Sequence, residues 1–114
     1  MLTIEGLNKL GVNTKEGLAR CMNNESFYFR MISMGIHGDE YDKLKKALEA
    51  KDLDKGFELA HALKGVTGNL SLTPLYNEIN EITELLRART DMDYTSRVEK
   101  ILAIRKEILA LADG

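Results

Sequence analysis

His61, Lys64, Gly65 and Gly68 fall at offsets of zero, three, four and seven, the spacing that puts side chains on one face of an α-helix. Around them Leu59, Leu63, Val66 and Leu70 repeat at three- and four-residue steps. At about 100° per residue this apolar set clusters opposite His61, with Ala60 and Thr67 on its flank. The imidazole is therefore predicted to face solvent or a partner, not a core. A solvent-facing histidine presents a largely unprotonated, nucleophilic ring nitrogen at neutral pH. That suits acceptance of a phosphoryl group, which adds about two negative charges. Lys64, one turn along, can approach those charges, an attraction of roughly 1 kcal/mol in open water and several in a closed interface. Gly65 and Gly68 carry no side chains beside the ring, so another protein's active site can come close. Glu58, one turn back, could orient the ring but would repel phosphate, and its role stays open.

Two glycines inside a helix cost about 2 kcal/mol relative to alanine, so propensity alone breaks the helix at Gly65. Gly65-Val66-Thr67-Gly68 also fits the GXXG loop of KH modules that bind RNA. That reading requires strands and a basic surface, and the chain offers neither. The apolar spacing runs on in phase through Val66 and Leu70, which favours one unbroken helix.

The elements that must position this face are helical throughout. One proline, 6% aromatics and many Leu, Ala, Ile, Glu and Lys residues favour helices, and no two-residue alternation marks a strand. A short amphipathic stretch runs from Thr14 to Met22, with Leu18 and Cys21 or Met22 inward. Phe27, Tyr28, Met31 and Ile32 form the next stripe. Gly35 and Gly38 weaken it, and Asp39 can cap a restart through Tyr41, Leu44, Ala47 and Leu48. Residues 25–50 thus read as two helices or as one bent helix. Asp52 is the expected N-cap of a helix from Leu53 to about Leu70. Thr73-Pro74 reads as N-cap and first helical residue of the next, with Leu75, Ile79, Ile82 and Leu86 inward. Thr90 to Asp93 is turn-like, and a last helix carries Val98, Ile101, Leu102, Ile108 and Leu111. Short links between long amphipathic helices predict an all-α, antiparallel, up-and-down four-helix bundle, with the short extra N-terminal helix over one end.

Composition narrows the function. The 114 residues suit a single domain spanning 1–114, and 44% hydrophobic content is enough for a core without disulfides or metal. Sixteen basic against eighteen acidic residues give a net charge of −2. That argues against nucleic acid and against an anionic membrane as partners. Cys21 stands alone, with no zinc spacing. No leader or membrane-spanning stretch is visible, so the expected compartment is the cytoplasm. His61 and His37 lack the paired Glu-x-x-His copies of a metal bundle; Glu58 supplies that offset once only. No Gly-rich phosphate loop or ATP-binding domain marks a kinase.

His61-Ala62-Leu63-Lys64-Gly65, with Leu70 five residues further, resembles the His-x-Leu-Lys-Gly signature of histidine-containing phosphotransfer domains. Gly17-Leu18-Ala19-Arg20 and Tyr28, then Leu48-Glu49-Ala50-Lys51-Asp52, and Leu72 to Leu86 without a gap, extend the likeness over roughly Val12 to Leu109. The resemblance implies a bundle whose central histidine is phosphorylated at Nε2. A receiver-domain phospho-aspartate, as in a hybrid sensor histidine kinase, would donate the group, and a response-regulator receiver would accept it. The receiver would supply Mg²⁺ and most catalytic groups, so the chain itself would need no cofactor and would not be an enzyme; it is expected to act as a monomer. Carried over by position, His61 is the phosphorylation site, Lys64 the phosphate-side cation and Gly65 the clearance residue. Two departures stand out. Leu70-Ser71 replaces the common Leu-Gly, and Thr83 stands where some members have a glutamine that holds Nδ1, with a shorter reach. Phe57, one turn before His61, fits a docking hydrophobe or a core residue. The rival function is a protein-interaction module on the same bundle that carries no phosphate.

Overall fold

In the computed structural model, which describes residues 1–114, seven α-helices and no strand follow in order. They are α1 (Ile4–Lys9), α2 (Thr14–Arg20), α3 (Glu25–His37), α4 (Glu40–Glu49), α5 (Leu53–Asn69), α6 (Thr73–Arg87) and α7 (Thr95–Asp113). α5 packs between α4 and α6, and α7 closes the ring against α6 and α4. α3 extends the α4 wall and lies on α7. The bundle surrounds one cluster of 22 buried residues, drawn from Leu2 near the N-terminus through Ile108 in α7. No helix is long and apolar enough to cross a membrane.

The expected bundle is present, with one helix more at its N-terminal end than the spacing indicated. α1 is only six residues, too short for a periodic signal, and is started by Thr3, whose hydroxyl accepts from the Gly6 amide at 2.9 Å. Its Leu7 is fully buried. Residues 25–50 form two helices. Gly38 is extended, and the Arg105 guanidinium of α7 donates to the carbonyls of Ile36 at 2.8 Å and Gly38 at 3.1 Å. A long-range cation thus satisfies the carbonyls left free where the helix stops. The same guanidinium lies 4.6 Å from the centre of the Tyr41 ring. Asp39 sits at the N-cap of α4 but makes no capping bond with its side chain; it pairs with Lys43 at 3.2 Å instead.

Other caps follow the reading more closely. Asp52 accepts from the Lys55 amide at 3.1 Å and starts α5. α6 begins one residue earlier than expected, with Leu72 as N-cap and Thr73 already helical. Ser71, in place of glycine, takes a left-handed φ of 55° where α5 turns into α6, the conformation glycine adopts with least strain.

The buried face of α5 is turned from the expected stripe. Gly56, Ala60, Leu63, Thr67 and Leu70 face inward, whereas Val66 is 38% exposed and Leu59 is only partly covered. The reason is close packing through small residues. A Cβ at Gly56 would sit 2.7 Å from Leu48 of α4 and 3.6 Å from Leu86 of α6, so the glycine is what lets both neighbours in. Thr67 is tolerated at the centre because its hydroxyl donates to the Leu63 carbonyl at 2.8 Å.

At the far end, His37 ties α3 to α7. Its Nδ1 lies 2.7 Å from the Ser33 carbonyl and its Nε2 2.9 Å from the Asp113 carboxylate. Both nitrogens face acceptors, so both bonds form only with the imidazolium. The Ser33 carbonyl first, then Asp113, hold the His37 pKa above its ordinary value, against desolvation and the nearby Arg105 charge. A raised folded-state pKa means this contribution is complete below the unfolded value and disappears as pH rises through the folded one. NMR titration should show His37 titrating above the ordinary histidine value, and Asp113→Asn should bring it down. An unchanged titration in that variant would remove the carboxylate from the account.

Candidate functional site

His61 occupies the middle of α5, with its ring exposed. Lys64 and Gly68 are partly covered and Gly65 is exposed, all on the same side of the helix. The four line a shallow depression of about 610 Å³. The helix runs unbroken through both glycines, as the apolar phase required.

The two glycines do different things. A Cβ at Gly65 would meet nothing within 4 Å, so this position is open toward whatever approaches the imidazole. A Cβ at Gly68 would lie 3.1 and 3.3 Å from the Tyr76 ring of α6. Gly68 therefore makes room for an aromatic of its own fold, which corrects the expectation that both glycines serve access.

Tyr76 and Asn77 form one side of the depression, and Asn13, Glu16 and Arg20 of the α2 region form another. Sequence reasoning did not foresee that second wall. α2 is brought there by the Asn13 amide, which donates to the Ser71 carbonyl at 3.1 Å, and by Tyr28, whose buried hydroxyl donates to the Leu70 carbonyl at 2.8 Å. Burial pushes the Tyr28 hydroxyl up to about 12, which keeps it a donor. A Cβ at Gly17 would overlap that phenol, so the glycine admits α3 against α2. No local pattern around Asn13 announces this; the pairing partner is far along the chain.

Electrostatically the depression is mixed. Arg20 is paired with Glu16 at 3.0 Å, while Lys64 enters none of the ion pairs of the chain and is the uncommitted cation beside His61. Glu58 makes no bond to the ring and sits 4.0 Å from Lys55. Thr83 is fully buried and donates to the Ile79 carbonyl at 2.6 Å, so its hydroxyl is occupied away from the imidazole. No hydrogen bond joins it to the His61 ring.

Phe57 packs against the core, one of the two roles expected for it, and also meets His61. Its ring, partly covered by the core, stacks on His61 with centroids 5.6 Å apart and planes at 23°. Chemically, the arrangement offers an exposed nucleophilic nitrogen, one free cation a turn away, open space on the approach side and an aromatic ring against the imidazole. His37, engaged by Ser33 and Asp113, has no comparable setting.

A family model described as the Hpt domain matches residues 37–114, from the last residue of α3 through α7, and so contains the whole of α5. No curated protein and no solved structure matches the chain.

Proposed function

Because the chain belongs to the Hpt domain family of phosphorelay histidine phosphotransfer modules, we propose that His61 is the residue that carries its phosphoryl group. Hpt domains work with receiver domains and kinases and are not kinases themselves. The donor in this reading is a receiver aspartyl phosphate of a hybrid sensor kinase, and the acceptor is the aspartate of a response-regulator receiver. The observation that carries the proposal is the exposed His61 at the middle of α5, beside the unpaired Lys64 and an open Gly65.

In the transfer, the Nε2 lone pair attacks phosphorus and an N–P bond forms. The P–O bond to the receiver carboxylate breaks, and the carboxylate leaves with the bonding pair. The ring keeps its proton on Nδ1 and becomes a phospho-imidazolium. The second receiver's carboxylate reverses these events, forming P–O as N–P breaks. Mg²⁺ and the groups around the phosphoryl oxygens belong to the receiver, so this chain contributes the nucleophile, a cation and a shape. Incubation with a radiolabelled phospho-receiver should move label onto the chain in an acid-labile form, and a second, unphosphorylated receiver should remove it. A chain that binds receivers yet never takes up label would instead be an interaction module.

Lys64 bears on the rate. Its ammonium favours the dianionic product by an amount on the order of 1 kcal/mol for a partly exposed cation. Lys64→Ala should slow transfer about tenfold and leave the melting temperature unchanged, as measured by quench-flow labelling and thermal scans. A wild-type rate would reduce Lys64 to a solvated side chain.

A further inference from the structure

The His61 imidazole has no hydrogen-bond partner on either nitrogen, in contrast to His37, both of whose nitrogens are engaged. Thr83 of α6 donates its hydroxyl hydrogen to the Ile79 carbonyl and makes no hydrogen bond to the ring. An exposed imidazole with two free torsions samples several orientations, and in-line attack uses one of them. Something else must limit the ring.

Phe57 lies one turn before His61 on α5, at the i, i+4 spacing that brings side chains together. Its ring is 5.6 Å from the imidazole and inclined by 23°, within the range of offset aromatic stacking. Phe57 is itself held. The guanidinium carbons of Arg87 and Arg89 lie 5.1 and 5.0 Å from its centroid. Those arginines are tied down in turn, Arg87 to Glu84 at 3.1 Å, and Arg89 to Asp54 at 2.7 Å and to the Leu86 carbonyl at 2.6 Å. A chain of contacts thus runs from the end of α6 through an aromatic ring to the imidazole.

We infer that Phe57 is the positioning residue of the phosphoryl-transfer site, orienting His61 by ring stacking where no hydrogen bond does so. The inference rests on the reading of His61 as the phosphorylated residue. It also has a consequence for the product. The phosphorylated ring, still protonated on Nδ1, is cationic, and a cation is drawn more strongly to an aromatic face than a neutral imidazole is. Phe57 then favours the loaded state as well as the approach to it.

The test compares Phe57→Leu, which keeps an apolar side chain without a ring, with Phe57→Tyr, which keeps the ring. Phosphoramidate serves as a small phosphoryl donor, so receiver docking does not enter. The Leu variant should load His61 about three- to tenfold more slowly, the range an aromatic pair is worth, while Tyr should stay close to wild type. NMR reports the ring contact itself, and the rescue of rate by Tyr but not Leu separates positioning from packing. The His61 ring protons should carry a ring-current shift in the wild type and the Tyr variant and lose it in the Leu variant. Equal loading rates in the Leu variant, whatever its ring-proton shifts, would overturn the inference. So would a Tyr variant as slow as Leu at equal melting temperature. A wild type that takes up no phosphate on His61 would instead defeat the functional reading, and the ring-current shift would still show whether Phe57 orients the ring.

Discussion

Replacing His61 with glutamine should abolish acid-labile phosphate on the chain while leaving its helical content and melting temperature nearly unchanged. The first half follows from chemistry: the amide nitrogen of glutamine has no available lone pair with which to attack phosphorus. The second half follows from position. His61 is exposed and makes no hydrogen bond, and glutamine is a good helix former, so the stability change should stay within about 1 kcal/mol, the lost stack on Phe57 included. His37 is the internal control. It remains intact in the variant, but both of its nitrogens face acceptors within the fold. Labelling with a phospho-receiver, followed by acid and base stability of the label, is the measurement. Acid-labile phosphate that survives in the variant would move the site away from His61.

Gly65 should separate folding from transfer. The helix passes through it without a positive φ, and a Cβ there would touch nothing within 4 Å. Gly65→Ala should therefore raise stability by about 0.5–1 kcal/mol, the helix-propensity difference, because no contact is lost and the unfolded chain has less freedom. The same open space is where a receiver must bring its phosphoryl group within bonding distance of the imidazole. Gly65→Gln fills it with a long side chain and should slow transfer on the order of 100-fold, the scale of a displacement of about 1 Å at the reacting atoms. Its fold should remain at least as stable as the wild type. Stability and transfer then move in opposite directions. If both variants were destabilised and their folded fraction transferred at the normal rate, Gly65 would be a structural glycine and the clearance role would fall. Denaturant melts and single-turnover transfer on the two variants give that answer.

Much of this site is local, and what is local was legible. The offsets of His61, Lys64 and Gly65 place them on one face of any helix, whatever surrounds it, because the 3.6-residue period belongs to the backbone. The phase continued through Val66 and Leu70 outweighs two helix-weakening glycines, and α5 is unbroken. The stop after α3 was ambiguous for the opposite reason. Gly38 weakens a helix but does not end one, and the carbonyls it exposes are claimed by Arg105, 69 and 67 residues away from Ile36 and Gly38.

The remaining features depended on which surfaces meet. Val66 was expected inside on hydrophobicity, yet it lies outside because Gly56 and Ala60 let α4 and α6 close on the adjacent strip of α5. Gly68 was assigned to partner access until the Tyr76 ring occupied its space. α2 became a wall of the depression through hydrogen bonds from Asn13 and Tyr28 to the turn after α5, which no spacing within residues 13–20 encodes. Thr83 has a short reach in any fold, and which carbonyl its hydroxyl donates to, that of Ile79, is set by its own helix. The sequence by itself determined the helices, the class of bundle and the outward direction of His61, since each follows from a period and a short link. Only the tertiary structure decided which small residue admits a neighbour, which hydroxyl is already spent, and that the ring against His61 is Phe57. Those outcomes follow from packing between helices, where volume and hydrogen bonds must be satisfied together.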